Sequence, residues 1–205
     1  TDGCQNDSIV NCRVILNRVN NTSASTLPMV QGSVGVLVIN STRTAAQTAI
    51  TPTAASGSNS NNKIYGNNIS NCNYGIVLFG YAATLGVGPA PTPATFLGDL
   101  NNDIGGTSAA TGNSILNFGG APAAANPAAG IRVNFQWGLN ISYNTVNNNN
   151  GSGVSHVTVL RGVLCETGTS ANLTISNNNI TVISGGTNSI CVGIENGIGA
   201  TAASN

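Results

Sequence analysis

An internal repeat of two short blocks restricts the fold of this chain more than any other feature. The first block has the pattern apolar-x-x-Asn-x-Ile/Val, with four clear copies and a weaker one that lacks the upstream apolar residue. The asparagines of the five copies are Asn17, Asn67, Asn113, Asn144 and Asn178. A second block, rich in Ile, Val, Leu or Phe, follows each copy, at 35–39, 75–79, 130–135, 153–159 and 189–194. The strict alternation of the two blocks indicates a repeating unit of two strands.

Asparagine discriminates between the architectures that such a repeat allows. The asparagine numbers give a repeat length of 31 to 50 residues, which is compatible with a solenoid or an up-and-down barrel. Stacked identical amides can hydrogen-bond from one coil to the next, and Asn tolerates the left-handed backbone of a sharp corner. The five asparagines therefore predict a ladder along a corner of a parallel β-helix.

Some second blocks show the two-residue alternation of a strand with one buried face. The faces predicted for the third and fifth blocks are Ile131, Val133 and Phe135, and Ile190, Val192 and Ile194. The same alternation directs Arg132 and Cys191 outward, Arg132 toward solvent or a carbohydrate.

Residues 62–78 carry the repeat most clearly, with the sequence NKIYGNNISNCNYGIVL. This segment resembles the parallel β-helix repeat of the pectate-lyase-like superfamily. The whole chain is similar to repeat segments of very large secreted surface proteins of Bacteroidota. We predict an all-β, right-handed parallel β-helix (solenoid) of about five coils, as one domain over 1–205. Long loop insertions are expected at 20–33, 41–60, 81–111 and 119–129.

Charge is scarce, at 6% of the residues, and the six basic side chains balance the six acidic ones. This balance argues against the clustered Lys and Arg of a nucleic-acid surface. No apolar run reaches the roughly 18 residues of a membrane span, so no membrane insertion is predicted. The chain starts at Thr1 without a recognisable signal peptide, and we expect a processed chain or an excised segment.

The acidic residues form no catalytic pattern. There is no adjacent Asp pair, and no two carboxylates occupy equivalent strand positions, among Asp2, Asp7, Asp99, Asp103, Glu166 and Glu195. Superfamily enzymes hold carboxylates around calcium or beside a His, and glycosidases hold two about 5–10 Å apart. The single histidine, His156, lies in a strand block and is expected to be a packed or surface residue. We predict no catalytic residue and no cofactor.

One segment offers alternating oxygen donors to a metal ion. Asp99, Asn101 and Asp103 could surround calcium, but they are also typical of an Asn/Asp-rich turn with local hydrogen bonds. The segment lacks the glycine position and the final Glu of an EF-hand loop. Apart from this calcium candidate, no metal site is predicted.

The five cysteines form no CxxC pair, which argues against a zinc site. Disulfide bonds in an oxidising, extracellular compartment are the alternative. We predict the pairs Cys165–Cys191 and Cys4–Cys12, which leave one thiol over. Asn-x-Ser/Thr sequons and Thr/Ser/Pro-rich loops are compatible with a glycoprotein.

The ends of a β-helix carry unpaired strand edges, which favour stacking. Neither terminus shows an amphipathic helix that would cap an end, so we expect head-to-tail self-association, between chains or between repeats of one chain. The expected function is that of a non-catalytic extracellular structural or adhesive module, with cell-surface or environmental glycans as further partners. A polysaccharide lyase or glycoside hydrolase, and a passive glycan-binding module, stay open as alternatives.

Overall fold

The computed structural model is an all-β solenoid. It describes residues 3–18, 32–41, 50–81, 95–119, 127–149, 156, 158–168, 171–185 and 190–198. In these residues the regular structure consists of strands and one 3-10 turn at Ala55–Gly57. No helix in this part of the chain is long and apolar enough to cross a membrane.

Three five-stranded sheets form the walls, and every strand pair in them is parallel. The first sheet contains β1 (Ser8–Val10), β4 (Lys63–Tyr65), β8 (Asp103–Ile104), β12 (Leu139–Ser142) and β15 (Leu173–Ser176). The second contains β2 (Arg13–Ile15), β5 (Asn68–Ser70), β9 (Ser114–Leu116), β13 (Thr145–Asn147) and β16 (Asn179–Thr181). The third contains β3 (Val34–Ile39), β6 (Tyr74–Phe79), β10 (Ala128–Asn134), β14 (Leu160–Cys165) and β17 (Cys191–Asn196).

The order of strands confirms a parallel β-helix of five coils. Each sheet takes one strand from each coil, and the coils follow one another in chain order. A short extra pair, β7 (Asp99–Leu100) with β11 (Gln136–Trp137), lies just ahead of the first sheet in the third and fourth coils. The strands β7 and β8 fall inside 81–111, so that stretch is a loop only in part.

Columns of branched aliphatic side chains fill the tube. In-register pairing gives one column from each sheet: Ile9, Ile64, Ile104, Ile141 and Ile175; Val14, Ile69, Ile115, Val146 and Ile180; Val36, Ile76, Ile131, Val163 and Ile194. The members in the three middle coils are at most 1% exposed. Burying such a side chain stabilises the fold by about 1.5–3 kcal/mol, so these columns supply the main driving force for winding.

Asparagine in the left-handed backbone region makes the tight corners. Asn6, Asn61 and Asn101, with φ of 59°, 60° and 53°, occupy the same corner in successive coils, where each begins the turn into the first sheet. Asn71 and Asn117, with φ of 57° and 52°, end the second sheet. Asn adopts this conformation more readily than other side chains, which explains why asparagine occupies these corners.

A glycine column runs through the third sheet. Its members are Gly35, Gly75, Gly130, Gly162 and Gly193. A Cβ on Gly75 would lie 2.4 Å from the carbonyl oxygen of Gly130 and 2.4 Å from Ile115 Cγ2. Any larger side chain there would collide with the next coil and with the second sheet.

The glycine column also interrupts the inward–outward alternation. Ala128 and Ile131 both face the core, and Ala129 packs in a separate cluster outside the tube. Val192 aligns with Ala129 and Ile194 with Ile131, so the predicted shared face of Ile190, Val192 and Ile194 is wrong. Phe135 is likewise wrong for the core face, because its φ of 52° turns it against Phe79, at 6.4 Å between ring centroids.

Two blocks of the repeat lie elsewhere than predicted. The third-sheet strand of the fourth coil is Leu160–Cys165 rather than 153–159, because Gly162 takes the place in the glycine column that the sequence had suggested for Gly153. Residues 153–155 and 157 lie outside the described part of the chain. In the first coil the repeat begins five residues earlier than predicted, with Ile9, Cys12 and Val14 in place of Val14, Asn17 and Val19.

Substitution within the glycine column tests this packing. Gly75→Ala is expected to lower the free energy of unfolding by about 1–3 kcal/mol, the usual cost of overpacking, because the added methyl group meets two fixed atoms at 2.4 Å. The matched control is Gly193→Ala in the last coil, where no described atom lies within 4 Å of the added Cβ. Urea unfolding followed by circular dichroism checks both, and equal effects would contradict the assigned column.

Candidate functional site

An asparagine ladder runs along the corner between the first and second sheets. Asn67 Nδ2 donates to Asn113 Oδ1 at 3.0 Å, and Asn113 Nδ2 donates to Asn144 Oδ1 at 2.9 Å. Asn144 Nδ2 donates in turn to Asn178 Oδ1 at 3.0 Å. The backbone N–H groups of the three donors bond to the same oxygens, at 2.9 to 3.1 Å. Each Nδ2 also donates to an isoleucine carbonyl in the coil below, so these buried amides are satisfied.

Asn17, the fifth residue of the predicted ladder, lies outside it. Cys12 takes the ladder position in the first coil, and its backbone N–H donates to Asn67 Oδ1 at 2.9 Å. Asn17 is exposed, two residues beyond β2. The prediction was wrong because the first coil has a cysteine where the pattern requires asparagine.

A second polar cluster, absent from the sequence predictions, lies where the coils enter the first sheet. Its members are Asn59, Asn62, Asp99, Asn102 and Gln136, all buried. Asp99 accepts from the Asn59 N–H at 2.8 Å and from Gln136 Nε2 at 3.0 Å. Asn102 Nδ2 donates to Gln136 Oε1 at 2.8 Å, and its Oδ1 accepts from the Asn62 N–H at 2.9 Å. The shared spacing of Asn59-x-x-Asn62 and Asp99-x-x-Asn102 was the available signal.

The three residues of the calcium candidate lie in three different environments. Asp99 is buried inside the polar cluster, and Asn101 is exposed at its corner. Asp103 lies farther along, where its oxygens accept from Tyr65 Oη at 2.5 Å and from Asn140 Nδ2 at 2.7 Å. Because the three side chains do not converge, the calcium prediction is wrong. The described residues contain no group of three or more His, Cys, Asp or Glu that could hold a metal.

All five cysteines are free thiols, so both predicted disulfides are wrong. Cys165 aligns with Asn196 and Cys191 with Leu160, five strand positions away. That separation is about 16 Å, far beyond the roughly 7 Å limit for a disulfide. Cys191 was also predicted to point outward, but it shares a column with the buried Leu160.

The other predicted pair is separated as well. Cys4 Sγ lies 2.9 Å from Asp7 Oδ2, and burial together with this hydrogen bond raises the pKa of Cys4 to about 11. Cys12 lies at the ladder corner, with Sγ 3.5 Å from the carbonyl oxygen of Val10.

A groove of about 340 Å³, here called the outer groove, lies on the outside of the third sheet. Arg132 forms a two-point ion pair with Glu166, at 3.0 and 2.9 Å. Arg161 and Glu195 form a second pair in the coils above. Arg132 also lies over the ring of Tyr74, 5.3 Å from its centroid. Arg132 points outward as predicted, but only 5% of it is exposed.

The charged side chains of the outer groove and His156 are the remaining candidates for acid–base chemistry, and all of them are hydrogen-bonded within the protein. Each guanidinium in the outer groove has a carboxylate partner, so the groove presents paired charges rather than a free acid or base. His156 is fully buried, with Nε2 2.8 Å from Thr158 Oγ1, and desolvation lowers its pKa. The paired Arg and Glu side chains of the outer groove can offer hydrogen bonds to a polar ligand.

Both ends of the tube expose positions that the middle coils bury. Ile194 is 49% exposed in the last coil, whereas Val163 and Ile131 in the same column are fully buried. In the first coil Ile9, Val14 and Val38 are half-buried. Within the described residues, the first and last strand of each sheet has a neighbour on one side only.

Comparison with protein-family models, with curated proteins and with solved structures finds no match for this chain.

The buried carboxyl group of Asp99 predicts an unusual pH dependence. Desolvation raises its pKa from 3.8 to about 6, so between about pH 4 and 6 the folded chain holds a proton that the unfolded chain releases. The contribution of Asp99 to stability is therefore greatest below about pH 4 and falls by about 2–3 kcal/mol as the pH rises through 6.

Asp99→Asn removes the titrating group, so the variant is expected to lack this pH-dependent contribution to stability. The free energies of unfolding of wild type and variant should therefore converge or cross between about pH 4 and 6. Urea unfolding, followed by the fluorescence of Trp137, measures the difference at each pH. Lys63→Gln, which removes one charge from an exposed side chain, is the control and should retain the wild-type dependence. An unchanged pH profile in Asp99→Asn would contradict the assigned pKa.

Proposed function

We propose that this domain is a non-catalytic structural or adhesive module of the cell exterior, which associates head to tail through the ends of its β-helix. The observation that carries the proposal is the exposure of core positions in the end coils, such as Ile194 at 49%. These positions belong to columns that are buried elsewhere in the tube. Covering them with a further coil would gain the same burial energy that stabilises the middle of the domain.

The strand edges at the C-terminal end support this assignment. Natural sheets protect exposed edges with charges, proline or bulges. Strands β15 and β16 contain no charged residue and no proline, and the one charge in β17, Glu195, is engaged by Arg161. These edges are therefore open to pairing with another parallel strand.

The carboxylates support a non-catalytic role. Glu166 and Glu195 are bound by arginines. Asp99 and Asp103 accept hydrogen bonds from neighbouring side chains, and Asp7 accepts one from the Cys4 thiol. Hydrolysis or elimination on a polysaccharide needs a carboxylate or another base that can exchange a proton with the substrate. All five Asp and Glu side chains in the described part of the chain are engaged within the protein.

The extracellular, cell-surface part of the proposal rests on the amino-acid sequence. The pattern of 62–78 and the low charge resemble the pectate-lyase-like repeat and repeat segments of secreted Bacteroidota surface proteins. An extracellular location agrees with this composition, whereas the five free thiols lend it no support. The same end contact would serve separate chains in a fibre or successive repeats of a longer surface protein.

Self-association in solution tests the proposal. We expect sedimentation velocity to show concentration-dependent oligomers, and negative-stain images to show rods one domain wide, because end coils stack only along the tube axis. Ile194→Asp, which places a charge on the exposed end, should shift the population to monomers. Thr174→Asp adds the same charge to an exposed position on the wall of the same coil and is the control. Isolated wild-type monomers at every concentration would refute the proposal.

The outer groove favours a second candidate function, passive binding of a neutral glycan. Planar Arg and Glu side chains held in pairs present fixed donors and acceptors to sugar hydroxyl groups, and two such pairs line this groove. Binding on a glycan array is expected to weaken in Glu195→Gln, which breaks the pair with Arg161. Lys63→Gln, at an exposed position on the first sheet, should bind as the wild type does. An array without any wild-type signal would exclude this candidate.

A further inference from the structure

We propose that the last coil of one molecule receives the first coil of a second copy in the register of the glycine column, so that Gly193 faces Gly35 of the neighbouring molecule. This inference rests on the head-to-tail association proposed above, and it specifies the two surfaces and their alignment. One glycine of the column, Gly193, is not required by any contact within the described residues.

Inside the tube, each glycine of the column is required by the coil that follows it. A Cβ on Gly35 would lie 2.6 Å from the Gly75 carbonyl oxygen, and a Cβ on Gly162 would lie 2.5 Å from that of Gly193. For Gly130 the corresponding distance to the Gly162 oxygen is 2.9 Å. The carbonyl group of the next coil therefore excludes any side chain at these positions.

Gly193 is the exception. No described atom lies within 4 Å of its Cβ position, and it is absent from the residues with positive φ. Glycine weakens a strand interior because it loses more conformational freedom on folding and packs no side chain. Another coil above Gly193, with a carbonyl group at the repeating position, supplies the missing reason for glycine.

The first coil of a second copy fits this position. It carries Gly35 at the matching place, and its inward residues Ile9, Val14 and Val36 continue the three aliphatic columns. The side chains below them in the joint would be Ile175, Ile180 and Ile194, which are half-buried or exposed. Branched aliphatic residues would then meet across the joint as they do within the tube.

Two positions match less well, so the joint is weaker than a contact between coils of one chain. Asn178 would face Cys12, whose sulfur is a weaker acceptor for the Asn178 N–H than an amide oxygen. Leu173 would lie in the column that continues to Asp7. These mismatches favour a joint that depends on protein concentration over an irreversible one.

The register can be tested with a native cysteine. Cys191 continues the column of Leu160 and Ala128, and the same column reaches Ser33 in the first coil, next to the pair Val34–Tyr74. In the joint, Cys191 would therefore lie beside Ser33 of the next copy. Parallel neighbours are about 4.8 Å apart, within the range that a disulfide bridges. Ser33→Cys is expected to give covalent multimers under mild oxidation, with the introduced thiol linked to Cys191 of another molecule in mass spectra.

Three variants in the Ser33→Cys background sharpen the test. Cys191→Ser should abolish the cross-link. Gly193→Val should leave the folded monomer intact and reduce the cross-link by roughly tenfold or more, the effect of about 1.4 kcal/mol, because its side chain would occupy the place of the incoming carbonyl group. Thr174→Val, which places the same valine side chain on the outer wall of the same coil, should cross-link like the parent. Circular dichroism verifies the fold of each.

The outcomes separate this inference from the proposed function. If the unsubstituted chain stays monomeric, both fail. If it forms rods but Gly193→Val assembles equally well, or if the introduced thiol links to Cys12 instead of Cys191, the register is overturned and end-to-end association stands. Rods that cross-link through Cys191 and are lost in Gly193→Val establish the joint.

Discussion

In-register hydrogen bonding between successive parallel coils is the constraint on which the rest of this structure depends. Each sheet takes one strand from every coil, and equivalent residues of successive coils lie directly above one another. A residue type that suits one coil therefore suits the coils above and below it. Aliphatic, asparagine and glycine columns are three consequences of this one rule. The same rule explains how a chain with so little charge and so few aromatic residues forms a core at all, since each coil is short but buries its interior against two neighbours.

Polar groups inside the wall are stabilised by repetition as well. An amide stacked on an identical amide finds both a donor and an acceptor at a fixed distance, so a buried asparagine costs little where its column is continuous. Asp99 shows the limit of this arrangement. Its neighbours donate to it, but the lack of solvent still raises the pKa to about 6. The ion pairs of Arg132 and Arg161 lie outside the tube, where two opposite charges in neighbouring coils can satisfy one another.

The fold could be predicted because the same residue types recur at equivalent positions of each repeat. The pattern around Asn67, Asn144 and Asn178 is regular because the stacked amides hydrogen-bond from one coil to the next. The first coil was misaligned because Cys12 replaces the expected asparagine. The shared face of Ile190, Val192 and Ile194 failed because the alternation rule takes no account of the shift at Gly193. The Asp99 cluster was missed because its members contribute from three coils, and only the stacking brings them together.

The pairings of cysteines and of acidic residues failed for a related reason. Nearness along the chain made Cys4–Cys12 and the three calcium candidates look plausible, yet a coil turns neighbouring residues toward different faces. In each Arg–Glu pair the two partners are 34 residues apart in sequence, so no local sequence pattern predicts the pair. The proposed function depends on the end coils, whose exposure follows from the position of a coil in the stack.

The amino-acid sequence alone determined the all-β class, the number of coils and the identity of most ladder residues, because these depend on side-chain types that recur at each turn of one backbone path. Tertiary structure decided which cysteines stay apart, where Asp99 is buried, which charges pair in the outer groove and which glycine of the column has no described atom above it. Those properties depend on the exact alignment of one coil on the next, and a shift of a single residue exchanges the inside of the tube for the outside.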